Sequence, residues 1–130
     1  MQVQDLSGNW HKWNLTKHTV DGLESRPRSE LHLNIRAFLK QQFSTCQILE
    51  EIPLPGTRLI LDFFVPLKKL AIEGHGLQHY QFVPFFHGTK LNFLESKKRD
   101  KDKLEWLSMN NIQLLIFNHD ETQEDWMKKI

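Results

Sequence analysis

At 130 residues the chain has the length of one domain and can bury a single core. A hydrophobic fraction of 39% and a charged fraction of 25% fit an ordinary globular protein and exclude a fibrous or fully disordered chain. The net charge of +1 rules out nucleic-acid binding through overall basicity, so any basic surface has to be local.

Cys46 is the sole cysteine, which leaves no intrachain disulfide framework and no zinc site built on several thiolates. The first nine residues are polar and do not read as a signal peptide. The longest apolar run, 59–65, is interrupted by Asp62 and far too short to span a bilayer. The expectation is a soluble, cytoplasmic protein with no membrane partner.

Residues 1–28 carry Gly8, Asp21-Gly22 and Pro27 without sustained periodicity, so they are expected as an irregular arm with one short strand around 10–15. Trp10 and Trp13 stand there beside His11 and Lys12. Aromatics mixed with bases can stack on nucleic acid, although packing over the core is the commoner use. From 29 to 130 a single domain is expected. Ser29 is suited to cap a helix running to about 43, with Leu31, Ile35, Phe38 and Leu39 on one apolar stripe. Glu30 sits in its first turn, where the helix dipole favours a carboxylate.

Three extended segments follow, at 47–53, 57–65 and 70–75, the last two joined by a turn at 66–69. Glycines 74, 76 and 88 with Pro84 then mark a loop-rich stretch to Lys90. A second helix is expected at 98–109, with Leu104 and Leu107 inward and Asn110-Asn111 as its stop. A buried strand at 112–117 and a terminal helix at 121–129 complete the order α-β-β-β-α-β-α, an α/β arrangement of two or three layers.

Asp62 lies between Ile60-Leu61 and Phe63-Phe64, where a charged carboxylate is costly to bury unless it is paired or ligates a metal. A lone strand Asp is more often an edge or paired residue. On a hairpin turning at Leu67–Lys68, however, Asp62 falls opposite Glu73, which is followed by Gly74-His75-Gly76. Two adjacent carboxylates repel when both are charged, and a cation between them resolves this. Carboxylates, water and phosphate oxygens suit Mg²⁺, and His75 or His79 can move protons near neutral pH. Such a group can hydrolyse phosphodiesters.

The runs LDFFVP and LAIEGHGLQHY together resemble the catalytic hairpin of the PD-(D/E)XK nuclease superfamily, nearest to the branch of very short patch repair endonucleases and phage-type homing endonucleases. The resemblance spans roughly residues 29–117. It implies a restriction-endonuclease-like core, α-β-β-β-α-β, with a central mixed sheet flanked by helices. It also implies a Mg²⁺-dependent endodeoxyribonuclease, with Mn²⁺ able to substitute, acting on DNA of phage or mobile elements in a host-cell cytoplasm. In that pattern Glu30 matches the helix acid, Asp62 the strand Asp and Glu73 the acid of an acid-x-Lys group. His75 stands in the Lys position, as in the repair branch, and Gln78 and His79 match a following G-x-Q-H. Asp62 and Glu73 would hold metal. Glu30 would hold it through water or orient the nucleophile, and His75 would act as base or phosphate contact. Gln78 and His79 would position substrate.

Lys97, Lys98, Arg99, Lys101 and Lys103 place five positive charges in seven residues. Arg99 and Lys103 share a helix face and, with Lys98, can contact DNA phosphates. A solvated face interleaved with Asp100, Asp102 and Glu105 is an equal alternative. Arg26 and Arg28 can also reach a phosphate, or simply form a basic linker. Cutting both strands favours a homodimer with two sites. A non-catalytic nucleic-acid-binding module on the same fold is the competing reading, and a metal-dependent hydrolase of small phosphoesters, with a deep pocket in place of an open basic groove, is a third.

Overall fold

The computed structural model describes residues 1–15 and 28–130, so Asp21-Gly22, Arg26 and Pro27 lie outside the described residues. A short antiparallel hairpin opens the chain, β1 (Gln2–Gln4) against β2 (Trp10–Lys12). Helix α1 (Glu30–Gln42) is capped by Ser29, whose side chain accepts the His32 amide. The main sheet holds β3 (Leu49–Pro53), β4 (Ile60–Val65), β5 (Leu70–His75) and β6 (Gln113–Asn118) in that spatial order. The first three strands are antiparallel, and β6 runs parallel to β5. Between β5 and β6 come the short helix α2 (Pro84–His87) and the long helix α3 (Lys90–Met109), the kind of crossover a parallel pair requires. Helix α4 (Gln123–Lys129) closes the chain with a capping box between Thr122 and Asp125.

Two apolar layers hold the sheet. On one face Ile35, Phe38 and Leu39 of α1 and Trp126 of α4 meet Phe63, Val65, Leu70, Ile72 and Phe117. On the other, Trp106 and Leu107 of α3 join Val3 and Trp13 of the hairpin over Leu49, Ile52, Leu61, Phe64 and Ala71. Trp13 stacks on Phe64 with centroids 4.9 Å apart and meets Trp106 edge-on at 5.1 Å. Val3 and Trp13 near the start of the chain thus pack as part of the core, while Trp10 remains exposed. Among the described residues no helix is long and apolar enough to cross a membrane.

The order of elements from Ser29 onward follows the expected one except for the short helix α2 in the stretch expected as loop, and the chain is a mixed α/β protein with a four-stranded mixed sheet. Three local expectations need correction. The described part of the arm, residues 1–15, holds a two-stranded hairpin, because Val3 and Trp13 both find buried places against the sheet. Helix α3 starts at Lys90 instead of 98: Thr89 caps it by accepting the Asn92 amide, while its first turns bury no apolar stripe that would announce a helix. Finally, Leu104 is exposed and Trp106 is fully buried in its stead, so α3 is turned to bring Asp100, Lys103 and Trp106 toward the sheet.

Candidate functional site

The β4–β5 ladder pairs Val65 with Leu70, Phe64 with Ala71 and Phe63 with Ile72. One step further the register sets Asp62 against Glu73, and side chains take over from the ladder. Glu73 Oε2 accepts the Asp62 amide at 2.7 Å, and Asp62 Oδ2 accepts the Gly74 amide at 2.9 Å. From there β5 continues along β6 alone, to His75 beside Asn118. The β3–β4 ladder falters at the same level. Glu51 and Asp62 are both skipped, and Glu51 adopts a left-handed φ of 49°. Leu49 and Ile52, three residues apart, consequently pack on one face, as do Leu61 and Phe64. This local bend frees Asp62 from ordinary pairing.

Glu73 is almost fully buried, at 2% exposure. Its second oxygen, Oε1, takes the Lys103 ammonium of α3 at 2.5 Å. Burial and the neighbouring Asp62 charge push the Glu73 carboxyl above its ordinary range, with Lys103 pulling in the opposite direction. A cavity of about 230 Å³ opens over the pair, lined among others by Ser29, His32, Asp62, Glu73, Gln78 and Lys103. Gly74 closes one side of this region, where an added Cβ would meet Ile35 Cδ1 at 2.8 Å.

The sequence-predicted residues divide accordingly. Asp62, Glu73, Gln78, His79 and Lys103 come together around one cavity. Glu30 is exposed in the first turn of α1 and does not line it, whereas its neighbours Ser29 and His32 do. His75 is buried and lies on the far side of Glu73, facing Asp100 and Lys103 in an adjoining cavity of about 320 Å³. Its ring stacks on that of His79 with centroids 4.0 Å apart and planes within 9°. Burial, then the charge of His79, depress the His75 imidazole to about 4.

The basic residues also separate. Arg58, Arg99 and Lys103 border a third cavity of about 360 Å³ that includes His79 and Asp100. Lys98 is exposed and pairs with Asp102 at 3.4 Å. Arg28 is turned inward, its guanidinium 2.9 Å from Glu50 and 3.1 Å from Glu51. Glu50 also accepts from Arg36 at 2.7 Å and meets His32 Nε2 at 2.5 Å. This buried cluster ties α1 to β3 just beneath the cavity.

Sequence reasoning missed four participants: His32, Glu50, Arg58 and Asp100. Asp100 was legible in principle, because a helix that turns Lys103 and Leu107 inward also presents position 100 to the sheet. Arg58 and Glu50 carry no comparable spacing signal.

No family model matches the chain, and no solved structure matches it. Similar stretches occur in two viral proteins. The chain is 39% identical over 57 residues to uncharacterised protein 307L of Invertebrate iridescent virus 6, covering 44% of this chain and 29% of that protein. It is 35% identical over 63 residues to uncharacterised protein 033L of Invertebrate iridescent virus 3, covering 48% and 32% respectively. The matched stretch spans about a third or less of each relative's length.

Proposed function

We propose that the chain is a metal-dependent DNA endonuclease built on a restriction-endonuclease-like core. The observation carrying this reading is the pairing of Asp62 with Glu73 where the β4–β5 ladder gives out, with Lys103 on Glu73 and a cavity above all three. The donor set fits a hard cation. Asp62 Oδ1 has no hydrogen-bond partner among the described residues, and Gln78 lines the same cavity. Asp62 and Glu73 would hold Mg²⁺, or Mn²⁺ in its place. Such an ion polarises a scissile phosphate and lowers the pKa of a bound water.

The protein's own groups supply the rest. Lys103 brings to Glu73, from helix α3, the ammonium that the resembling pattern places two residues after the acid, where this chain has His75. A phosphate entering the cavity would draw that ammonium toward itself and leave Glu73 free to ligate. Arg58 and Arg99 at the neighbouring cavity would contact flanking phosphates of the strand. Gln78 and His79, which line the same cavity, would position the substrate.

One observation favours the competing reading of a binding module. The Lys103 ammonium already balances Glu73, so the site has an internal cation of its own. Incubation with supercoiled plasmid in Mg²⁺, Mn²⁺ or EDTA, beside Asp62→Asn, separates the two. Metal-dependent nicking or linearisation that disappears in Asp62→Asn supports the nuclease. Metal-independent DNA binding with intact plasmid in both proteins supports the module.

A further inference from the structure

Beside the carboxylate pair lies a second group of donors. His75 ends β5, His79 follows in the one-turn 3₁₀ segment Leu77–His79, and Asp100 reaches over from α3. One ligand atom from each lies within 4.8 Å of the others. His79 Nδ1 is 3.0 Å from Asp100 Oδ2, and the two imidazoles are stacked in parallel.

We propose that His75, His79 and Asp100 form a site for a first-row transition cation of the Zn²⁺ type, separate from the Asp62–Glu73 pair. Zn²⁺ binds imidazole nitrogen and carboxylate oxygen at about 2.0–2.2 Å, which sets donors around a tetrahedral ion roughly 3.4 Å apart. The His79–Asp100 pair already has about that spacing, and the widest pair must close by up to about 1.4 Å. Two nitrogens and one carboxylate favour Zn²⁺, Co²⁺ or Ni²⁺ over Mg²⁺, whereas an oxygen-only pair has the opposite preference. Three protein ligands leave a fourth position for water. Here that position has room, because cavities of about 320 and 360 Å³ flank Asp100 on the His75 and His79 sides.

Each ligand is held by a different constraint. His75 is fixed by β5–β6 pairing opposite Asn118. The 3₁₀ turn is closed by the His79 amide donating to the Gly76 carbonyl at 3.1 Å. Asp100 sits one turn before Lys103 on α3, the helix anchored by fully buried Trp106. The donors come from a strand, a turn and a helix, and binding one ion requires one of the two stacked rings to turn out of the stack so that both imidazoles present a nitrogen to it.

The test is titration of chelator-treated protein with Co²⁺, read by visible ligand-field absorption, then with Zn²⁺ by displacement. The expected result is one ion per chain, with affinity at least about tenfold weaker in His79→Gln and in Asp100→Asn. Asp62→Asn should stay within about twofold of wild type. Zn²⁺ at a hundredfold excess over Kd should raise the wild-type Tm by on the order of 10 °C. In unmutated protein, imidazole ¹⁵N resonances of two histidines should shift on adding Zn²⁺, a readout that does not depend on the variants folding. Absence of binding would reduce the cluster to an ordinary His79–Asp100 ion pair. Binding unchanged in both variants, or lost in Asp62→Asn as fully as in His79→Gln, would place the ion elsewhere and overturn the assignment.

Discussion

Asp62 and Glu73 hold each other's strands: the Glu73 carboxylate accepts the amide of Asp62, and the Asp62 carboxylate accepts the amide of Gly74 just beyond Glu73. Each acid therefore has a structural duty as well as the proposed chemical one, and the two can be separated by choice of substitution. Asp62→Asn keeps an oxygen for the Gly74 amide, so stability should change by less than about 0.5 kcal/mol while metal-dependent cleavage falls by about a hundredfold or more. Asp62→Ala loses the acceptor as well and should cost about 1–2 kcal/mol in urea denaturation. Equal cleavage by wild type and Asp62→Asn would remove the acid from the chemistry.

Lys103 offers a second separation. Lys103→Met keeps the aliphatic stem but removes the charge from a nearly buried carboxylate. Losing one partner of a buried pair is usually severe, about 3–5 kcal/mol. Here Glu73 can take up a proton, since burial and Asp62 already raise its affinity for one. The expected loss is therefore smaller, about 1–2 kcal/mol at neutral pH. Cleavage should nevertheless fall at least about tenfold. A cleavage rate equal to wild type would show that the ammonium serves stability alone.

The opposition of Asp62 and Glu73 was legible in the sequence because a tight turn at Leu67–Lys68 fixes which residues face each other, and two-residue periodicity carries that register outward. Ser29 as a cap and the α1 stripe were legible for the same kind of reason, a local rule with a fixed spacing. The orientation of α3 was not. Its sequence is charged nearly all round, so Leu104 and Trp106 competed for the core, and only the tertiary fit of Trp106 beside Trp13 and against the Pro55 carbonyl decided between them. That rotation turns Lys103 to Glu73 and Asp100 to His79, which is why the solvated-face and DNA-contact readings of the basic run both missed its inward contacts.

Glu50 gives the protein an acid-sensitive joint. Burial opposes its ionisation, but the hydrogen bonds and charges of His32, Arg36 and Arg28 outweigh it and hold the carboxyl below its usual range. A carboxyl with a depressed folded-state pKa contributes stability above its unfolded value near 4.5, and this is lost as pH falls through the lower folded value. Glu50→Gln should therefore cost about 2 kcal/mol at pH 7, with the gap to wild type closing below pH 4. Chemical denaturation at the two pH values checks it. A gap that stays constant would mean that packing, and not charge, sets the cost.

Arg99 is exposed and borders the same cavity as Arg58 and Lys103. Among the described residues it makes one hydrogen bond, donating to Ser96 Oγ at 2.8 Å, so its guanidinium can turn to a phosphate at little cost. Neutralising a phosphate releases a condensed counterion, which appears as the slope of log affinity against log salt. Arg99→Ala should therefore weaken binding to duplexes of unrelated sequence by similar factors and reduce that slope by about 1. Lys98, held near Asp102 on the outer surface, should change the slope less when replaced by alanine. Fluorescence anisotropy on two duplexes across a salt series, in EDTA to prevent cleavage, measures both. If Lys98→Ala reduces the slope and Arg99→Ala does not, the nucleic acid lies along the outer surface of α3, away from the cavity beside Asp100.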